Sequence, residues 1–324
     1  MPRTFFKTIV TVSFAVLFTS SIALAQDDFP SQEIRIIVPW NPGGSTDIMA
    51  RKILPSLEEQ GVRAVVENMP GGGSAVGMAQ VASAAPDGYT VGLGSSSILS
   101  LIAQGNVPFT YDSFTDIALF SEDPLVLLVS PNSEWDSLNA FMEYMKENPG
   151  SVTIGTPGTN NVNHAMAGLT GQAAGVEFRH IPYPGGSRVI AEIMGGQIDA
   201  GVLKPSETLP QIEADDLQAI GVYRQERIEA LPETETFQEA GYDVFSSGEL
   251  AQITYLTAPA GLDAEIRERL VEIFNTAILS EAFQEFAEEN GFIAGGLSGE
   301  ELQEYNAGLI DTLESAAQEI FTGD

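Results

Sequence analysis

The side chains best suited to recognition chemistry fall in three short stretches of the sequence. Each is a glycine turn beside hydroxyl or amide side chains: Pro42-Gly43-Gly44-Ser45-Thr46-Asp47, then Thr156-Pro157-Gly158-Thr159-Asn160-Asn161-Val162-Asn163-His164, then Pro184-Gly185-Gly186-Ser187. Such groups offer N–H and O–H donors, so they suit holding an anion better than attacking a bond. The motifs of catalysis are missing. There is no cysteine, no His-Glu-x-x-His and no Gly-x-Ser-x-Gly, and neither His164 nor His180 has an acid or cysteine at a metal-ligand spacing. No catalytic residue, no metal and no cofactor are therefore expected. Gly71, Gly73 and Gly77 resemble a dinucleotide fingerprint, but the acid that would bind a ribose is missing from the end of the next strand. Close helix packing is the better account of those glycines.

Each stretch needs a strand to deliver it and a helix to receive it. Ile34-Arg35-Ile36-Ile37-Val38 is an apolar, β-branched run that Pro39 ends, and Ser45-Thr46-Asp47 suits a helix start. The unpaired N–H groups of such a start, reinforced by the helix dipole, favour negative charge, most simply a small carboxylate. Within this unit the roles stay open: Ser45 and Thr46 as caps or solute donors, Asp47 as a first-turn acid paired with Arg51 or a contact for a ligand hydroxyl or ammonium. Trp40 and Asn41 sit at the strand's end, with Trp40 either a pocket wall or packed on its own domain.

The pattern recurs along the chain. Val152–Gly155 reads as a strand leading through Thr156 and Gly158 to a helix over Ala165–Ala174, making Thr159, Asn160, Asn161 and His164 candidates to face the same ligand. His164 is alternatively a satisfied residue of the helix start, and His180 reads as structural. Gly185 and Ser187 close the third unit. Tyr89–Leu93 is a strand whose carboxyl end carries Ser95 and Ser96, where open α/β sheets bind ligands. Further strands are expected at 63–67, 125–129, 197–202, 217–222 and 253–257. Helices are expected at 75–85, 137–147, 188–194, 264–279, 281–290 and 299–320, the last three acid-rich with core-facing apolar stripes.

Composition narrows the class. The 324 residues carry 14 basic and 45 acidic side chains, a formal charge of -31, so binding to nucleic acid or anionic membrane through the net field is excluded. Arg3 and Lys7 precede an apolar run, Thr8–Phe18, too short to span a bilayer, and Ala23-Leu24-Ala25 has the small-x-small form of a signal-peptidase site. A signal peptide over 1–25, export to the periplasm and a mature chain from Gln26 are expected. The remaining length and the 44% hydrophobic content suit two domains.

The segments VPWNPGGSTDIMAR, VVENMPGGGSAVGMAQVASAAPDGYTVGLGSS, HIPYPGGSRVIAEIMGGQIDA and LPETETFQEAGYD, in order from Ile34 to about Leu313, resemble the Bug/TctC family of periplasmic receptors. That resemblance implies a type II periplasmic-binding-protein fold. Two α/β lobes, 26–124 with 249–324 and 125–248, would be joined by a two-strand hinge and close on a carboxylate. It implies a monomeric, non-enzymatic receptor that captures a small organic carboxylate and delivers it to the membrane permease of a tripartite tricarboxylate transporter. The alternative is a sensor presenting its closed form to a two-component kinase. The family's first-lobe motif falls on Gly43, Gly44, Ser45, Thr46 and Asp47, and the second-lobe motif on Gly158 to His164. Asn160-Asn161 stand where the family usually has Gly-Ser.

Overall fold

A computed structural model of the chain describes residues 29–245 and 250–320. The expected signal peptide, residues 1–25, and most of the expected recrossing segment, Ser246–Glu249, lie outside the described residues.

In chain order the first half of one lobe runs β1 (Ile34–Val38), α1 (Ser45–Lys52), α2 (Leu54–Glu59), β2 (Ala64–Asn68), α3 (Ala75–Ala82), β3 (Thr90–Ser95), α4 (Ser96–Ala103) and β4 (Phe114–Asp123). Pro124-Leu125 carries the chain into a second sheet. There it forms β5 (Val126–Val129), α5 (Leu138–Glu147), β6 (Thr153–Pro157), α6 (Val162–Ala174), β7 (Arg179–Tyr183), α7 (Gly186–Met194), β8 (Ala200–Leu203), α8 (Pro205–Glu213) and β9 (Gln218–Val222). The chain then returns to the first sheet as β10 (Gln252–Pro259), α9 (Ala264–Ile278), α10 (Glu281–Glu289), β11 (Ile293–Ala294) and α11 (Gly299–Glu319).

The first sheet has the order β11-β4-β10-β3-β1-β2 and the second β7-β6-β8-β5-β9. β1 pairs in parallel with β2 and β3, and β6 in parallel with β7 and β8, so the carboxyl ends of these strands share one edge of their sheet. β10 runs antiparallel to β3, pairing Thr254 with Ser95, which sets the start of β10 beside the end of β3. The alternation along β1 explains its place in the sheet interior. Ile34, Ile36 and Val38 pack on a core with Met49 and Ala50 of α1, Leu270 and Phe274 of α9 and Phe283 of α10, while Ile37 faces a second core with Met78 and Val81 of α3. This second core continues without a break through α4 and α11 into Leu127, Ile154 and Ala165 of the other lobe.

Several elements depart from the sequence reading. β4, the longest strand with 10 residues, is unexpected, because Asp116, Ser121 and Asp123 are poor strand formers. Tertiary partners override that preference. Asp116 is fully buried, and its Oδ2 accepts from the Tyr111 hydroxyl and from Asn306 Nδ2 (2.7 Å) of α11. Burial pushes its carboxyl pKa up, against the lowering effect of those donors. α2, α4 and α8 are also unexpected. α2 carries Pro55 in its first turn, while α8 carries Pro205 at its start and Pro210 inside.

Candidate functional site

A cleft of about 410 Å³ lies between the lobes. The first lobe supplies Trp40, Asn41, Gly44, Ser45 and Thr46 after β1, then Ser95 and Ser97, Asp123 at the end of β4, and Gln252–Thr254 at the start of β10. The second supplies Pro157, Asn161 and Asn163 after β6, Gly185 and Gly186 after β7, and Lys204 and Glu207 after β8. Nearly all of these follow the carboxyl ends of parallel strands or sit beside them. Helices α1, α4, α6, α7 and α8 all begin there, so their positive dipole ends converge on one space.

The β1–α1 turn is held in shape by Asp47, which does not line the cleft. Its carboxylate accepts from the N–H of Gly43 (2.8 Å), from Arg51 Nε (3.0 and 3.1 Å) and from Asn68 Nδ2 (2.9 Å), and Asn68 also donates to the Trp40 carbonyl (3.1 Å). The Arg51 hydrogen bond is the main cause that lowers the Asp47 pKa to about 2; burial opposes it, and the Gly43 N–H and Asn68 assist. Gly43 itself has φ +81°, a left-handed turn that suits glycine. Gly44 is the N-cap of α1, and no side chain caps the helix. Ser45 and Thr46, already inside its first turn, therefore line the cleft without capping.

At the end of β3, Ser95 is 8% exposed, and its Oγ is buried with no hydrogen-bond partner among the described residues. A buried hydroxyl left unpaired costs about 1–3 kcal/mol, which a bound acceptor would recover. Its neighbour Ser96 is committed internally, donating to the Ala251 carbonyl (2.7 Å) and accepting from the N–H of Ile253 (2.7 Å).

The second lobe's loop is more self-contained. Asn161 caps α6, its Oδ1 accepting from the N–H of His164 (3.0 Å) and its Nδ2 donating to the Pro157 carbonyl (2.8 Å). Thr156 Oγ1 donates to the Gly158 carbonyl (2.7 Å) and lies 2.6 Å from His180 Nε2. Thr159 Oγ1 reaches Asn160 Oδ1 (3.2 Å). His164 is buried, with its ring stacked on His180 at 3.7 Å and 8°, and its Nδ1 accepts from the N–H of Asn160 (3.1 Å). Asn160 takes φ +54°, and its carbonyl accepts from Ser100 Oγ (2.9 Å) and Gln104 Nε2 (3.0 Å) of α4 in the other lobe.

Of the candidates read from the sequence, the structure thus brings Trp40, Asn41, Gly44, Ser45, Thr46, Ser95, Asn161 and Gly185 to the cleft. Gly43, Asp47, Ser96, Thr156, Gly158, Thr159, Asn160, His164 and Ser187 are not in its lining. Most of these shape the turns behind it.

Sequence reasoning misses the charged groups. Lys204, the N-cap of α8, sits with its ammonium 3.9 Å from Asp123 Oδ1, and Asp123 also accepts from Ser206 (3.2 Å) and Ser121 (3.0 Å). Burial works against the Lys204 charge, but Asp123 and Glu207 more than offset it and hold the ammonium above its usual pKa. One signal is readable: a lone lysine between an apolar strand and a proline-initiated helix, Val202-Leu203-Lys204-Pro205, occupies a ligand-facing position in such sheets. Asn163 donates to the Val202 carbonyl (3.0 Å) and accepts from Gln252 Nε2 (2.7 Å) across the lobes. No local pattern announces that contact. Among the described residues no cluster of three His, Asp or Glu side chains is placed to hold a metal ion.

Comparison with known proteins assigns the architecture. Residues 49–315 match the profile described as TctC, the tripartite tricarboxylate transporter family receptor. A UPF0065 protein of Bordetella pertussis is 32% identical over 98% of this chain and 98% of its own length. The solved structure of the periplasmic binding protein BugD superposes with a TM-score of 0.72 at 25% identity, covering 90% of this chain and 99% of BugD. MatC from Rhodopseudomonas palustris, solved with bound malate, shares the fold with a TM-score of 0.73 at 24% identity, covering 89% of this chain and 99% of MatC. The chain belongs to the TctC family, whose members are two-lobed solute-binding receptors and not enzymes.

Proposed function

We propose that this chain is a periplasmic receptor that captures a small organic carboxylate between its lobes and delivers it to the membrane permease of a tripartite tricarboxylate transporter. The signal-peptide pattern of residues 1–25 supports the location, and the family description supports the partner. The observation that carries the ligand class is the convergence of α1, α4, α6, α7 and α8 on one cleft that also holds the Ser95 hydroxyl, which has no partner among the described residues. MatC, which shares the fold, was solved with malate. Residues 26–124 and 249–324 would move as one jaw and 125–248 as the other.

The magnitudes are adequate. Charge-assisted hydrogen bonds contribute about 1.5–3 kcal/mol each and a helix N-terminus about 0.3–2. Micromolar affinity needs about -8.2 kcal/mol net of the costs of association. Four or five donors drawn from two lobes supply about 6–15 kcal/mol before those costs, which one loop cannot match, so capture is coupled to closure.

A thermal-shift panel on the chain from Gln26 tests the reading. An acid at about 100 times its Kd stabilises the folded form by about 2.7 kcal/mol. A panel of mono-, di- and tricarboxylates in which none raises the melting temperature would overturn the proposal.

A further inference from the structure

The cleft does not end at Lys204. Beyond it lies a second space of about 320 Å³ that shares the walls Ser45, Asp123, Lys204 and Glu207. Its far side is built mainly from Ile48 and Met49 of α1, Phe286 of α10 and Phe292, with Asn290 as a polar member and the Lys52 ammonium 5.4 Å from the Phe286 ring centre. Ile48 is 45% exposed, one of the few large apolar side chains left open to solvent. The polar cradle and this largely apolar annex therefore adjoin at a charged waist.

The waist carries two formal negative charges, Asp123 and Glu207, against the single positive charge of Lys204. Lys204 is already turned to those acids, so a second anionic group passing the waist would meet net repulsion and then an apolar wall. An apolar chain or ring would meet neither penalty and would cover Ile48 and Phe286.

Resting on the carboxylate reading above, we infer that the preferred solute is an amphipathic monocarboxylic acid, its carboxylate in the helix-start cradle and its apolar body in the annex of Ile48, Met49, Phe286 and Phe292. Di- and tricarboxylates of the same length are the disfavoured class. Specificity here arises from what lies past Lys204, and the cradle itself is indifferent to the tail.

Isothermal titration of the chain from Gln26 with acetate, butyrate, hexanoate and adipate tests this. Each methylene that enters the annex is expected to raise affinity by up to about fourfold, so hexanoate exceeds butyrate and butyrate exceeds acetate. Adipate, which differs from hexanoate by a terminal carboxylate, is expected to bind at least about tenfold more weakly. Ile48→Ser, at a half-exposed position that leaves the core intact, is expected to flatten the ladder while leaving acetate unchanged. Glu207→Gln is expected to narrow the gap between hexanoate and adipate. Adipate binding as tightly as hexanoate, or a ladder unaffected by Ile48→Ser, overturns the inference while leaving the carboxylate reading intact. Binding of none of the four acids, together with no response in the wider panel, removes both.

Discussion

Replacing Asp47 with asparagine removes the charge that holds the β1–α1 turn, and its effect has a calculable size. The Asp47 pKa is about 2 in the folded protein against an ordinary value of 3.8. The ceiling on its contribution is therefore about 2.4 kcal/mol, at about 1.36 kcal/mol for each pKa step. Its partner Arg51 has a side chain 49% exposed, and solvent screening reduces the figure to about 1–1.5 kcal/mol. The sign follows from the direction: a carboxylate whose pKa falls on folding stabilises above about pH 4, and that stabilisation is lost as pH falls through about 2. Urea unfolding of wild type and Asp47→Asn is expected to differ by about 1–1.5 kcal/mol near neutral pH. The gap is expected to shrink below about pH 4. The variant also loosens the Gly43 N–H contact, so its affinity for the acid falls as well. A gap that is absent at neutral pH, or that stays constant down to about pH 3, would refute the account of Asp47 as an ionised clamp.

Three further substitutions separate binding from folding. A Cβ at Gly185 would meet nothing within 4 Å, and its φ of 172° is open to any residue, while a Cβ at Gly44 would touch the Asn41 carbonyl oxygen at an ordinary 3.4 Å. Gly44→Leu and Gly185→Leu are therefore expected to fold normally and to abolish the acid-induced thermal shift. Ser95→Ala removes a buried hydroxyl that has no partner among the described residues, so unliganded stability is expected to hold or rise while affinity falls about tenfold or more, the loss of one charge-assisted hydrogen bond. Lower unliganded stability in that variant would show that the hydroxyl has a structural partner.

What can be read from the sequence is local. The β1–turn–α1 unit follows from a β-branched run, a proline stop and a glycine turn that adjoin in the chain, and the glycine-to-helix logic locates the β6–α6 and β7–α7 turns equally well. What resists reading depends on partners distant in the chain. β4 tolerates Asp116 because Asn306, 190 residues away, donates to it. Gln252 meets Asn163 only because β10 recrosses to pair with β3. His164 has a residue type that invites a ligand role, yet the imidazole of His180, from the next strand, stacks against it. No window of local sequence contains that information. The chemistry of the cradle is thus legible where a strand and a helix adjoin in the chain, and the charged waist is not, because Asp123 and Lys204 come from different sheets.

The grip of Ser100 and Gln104 on the Asn160 carbonyl has a consequence for how a solute is received. A free loop would lose conformational entropy on meeting its guest, at about 1–2 kcal/mol per residue fixed. Here the Asn160 carbonyl is already held from the opposite half of the molecule, beside Asn161, which lines the cleft. That tie orders the turn before a solute arrives, so Asn161 is presented preorganised and more of its contact is expressed as affinity.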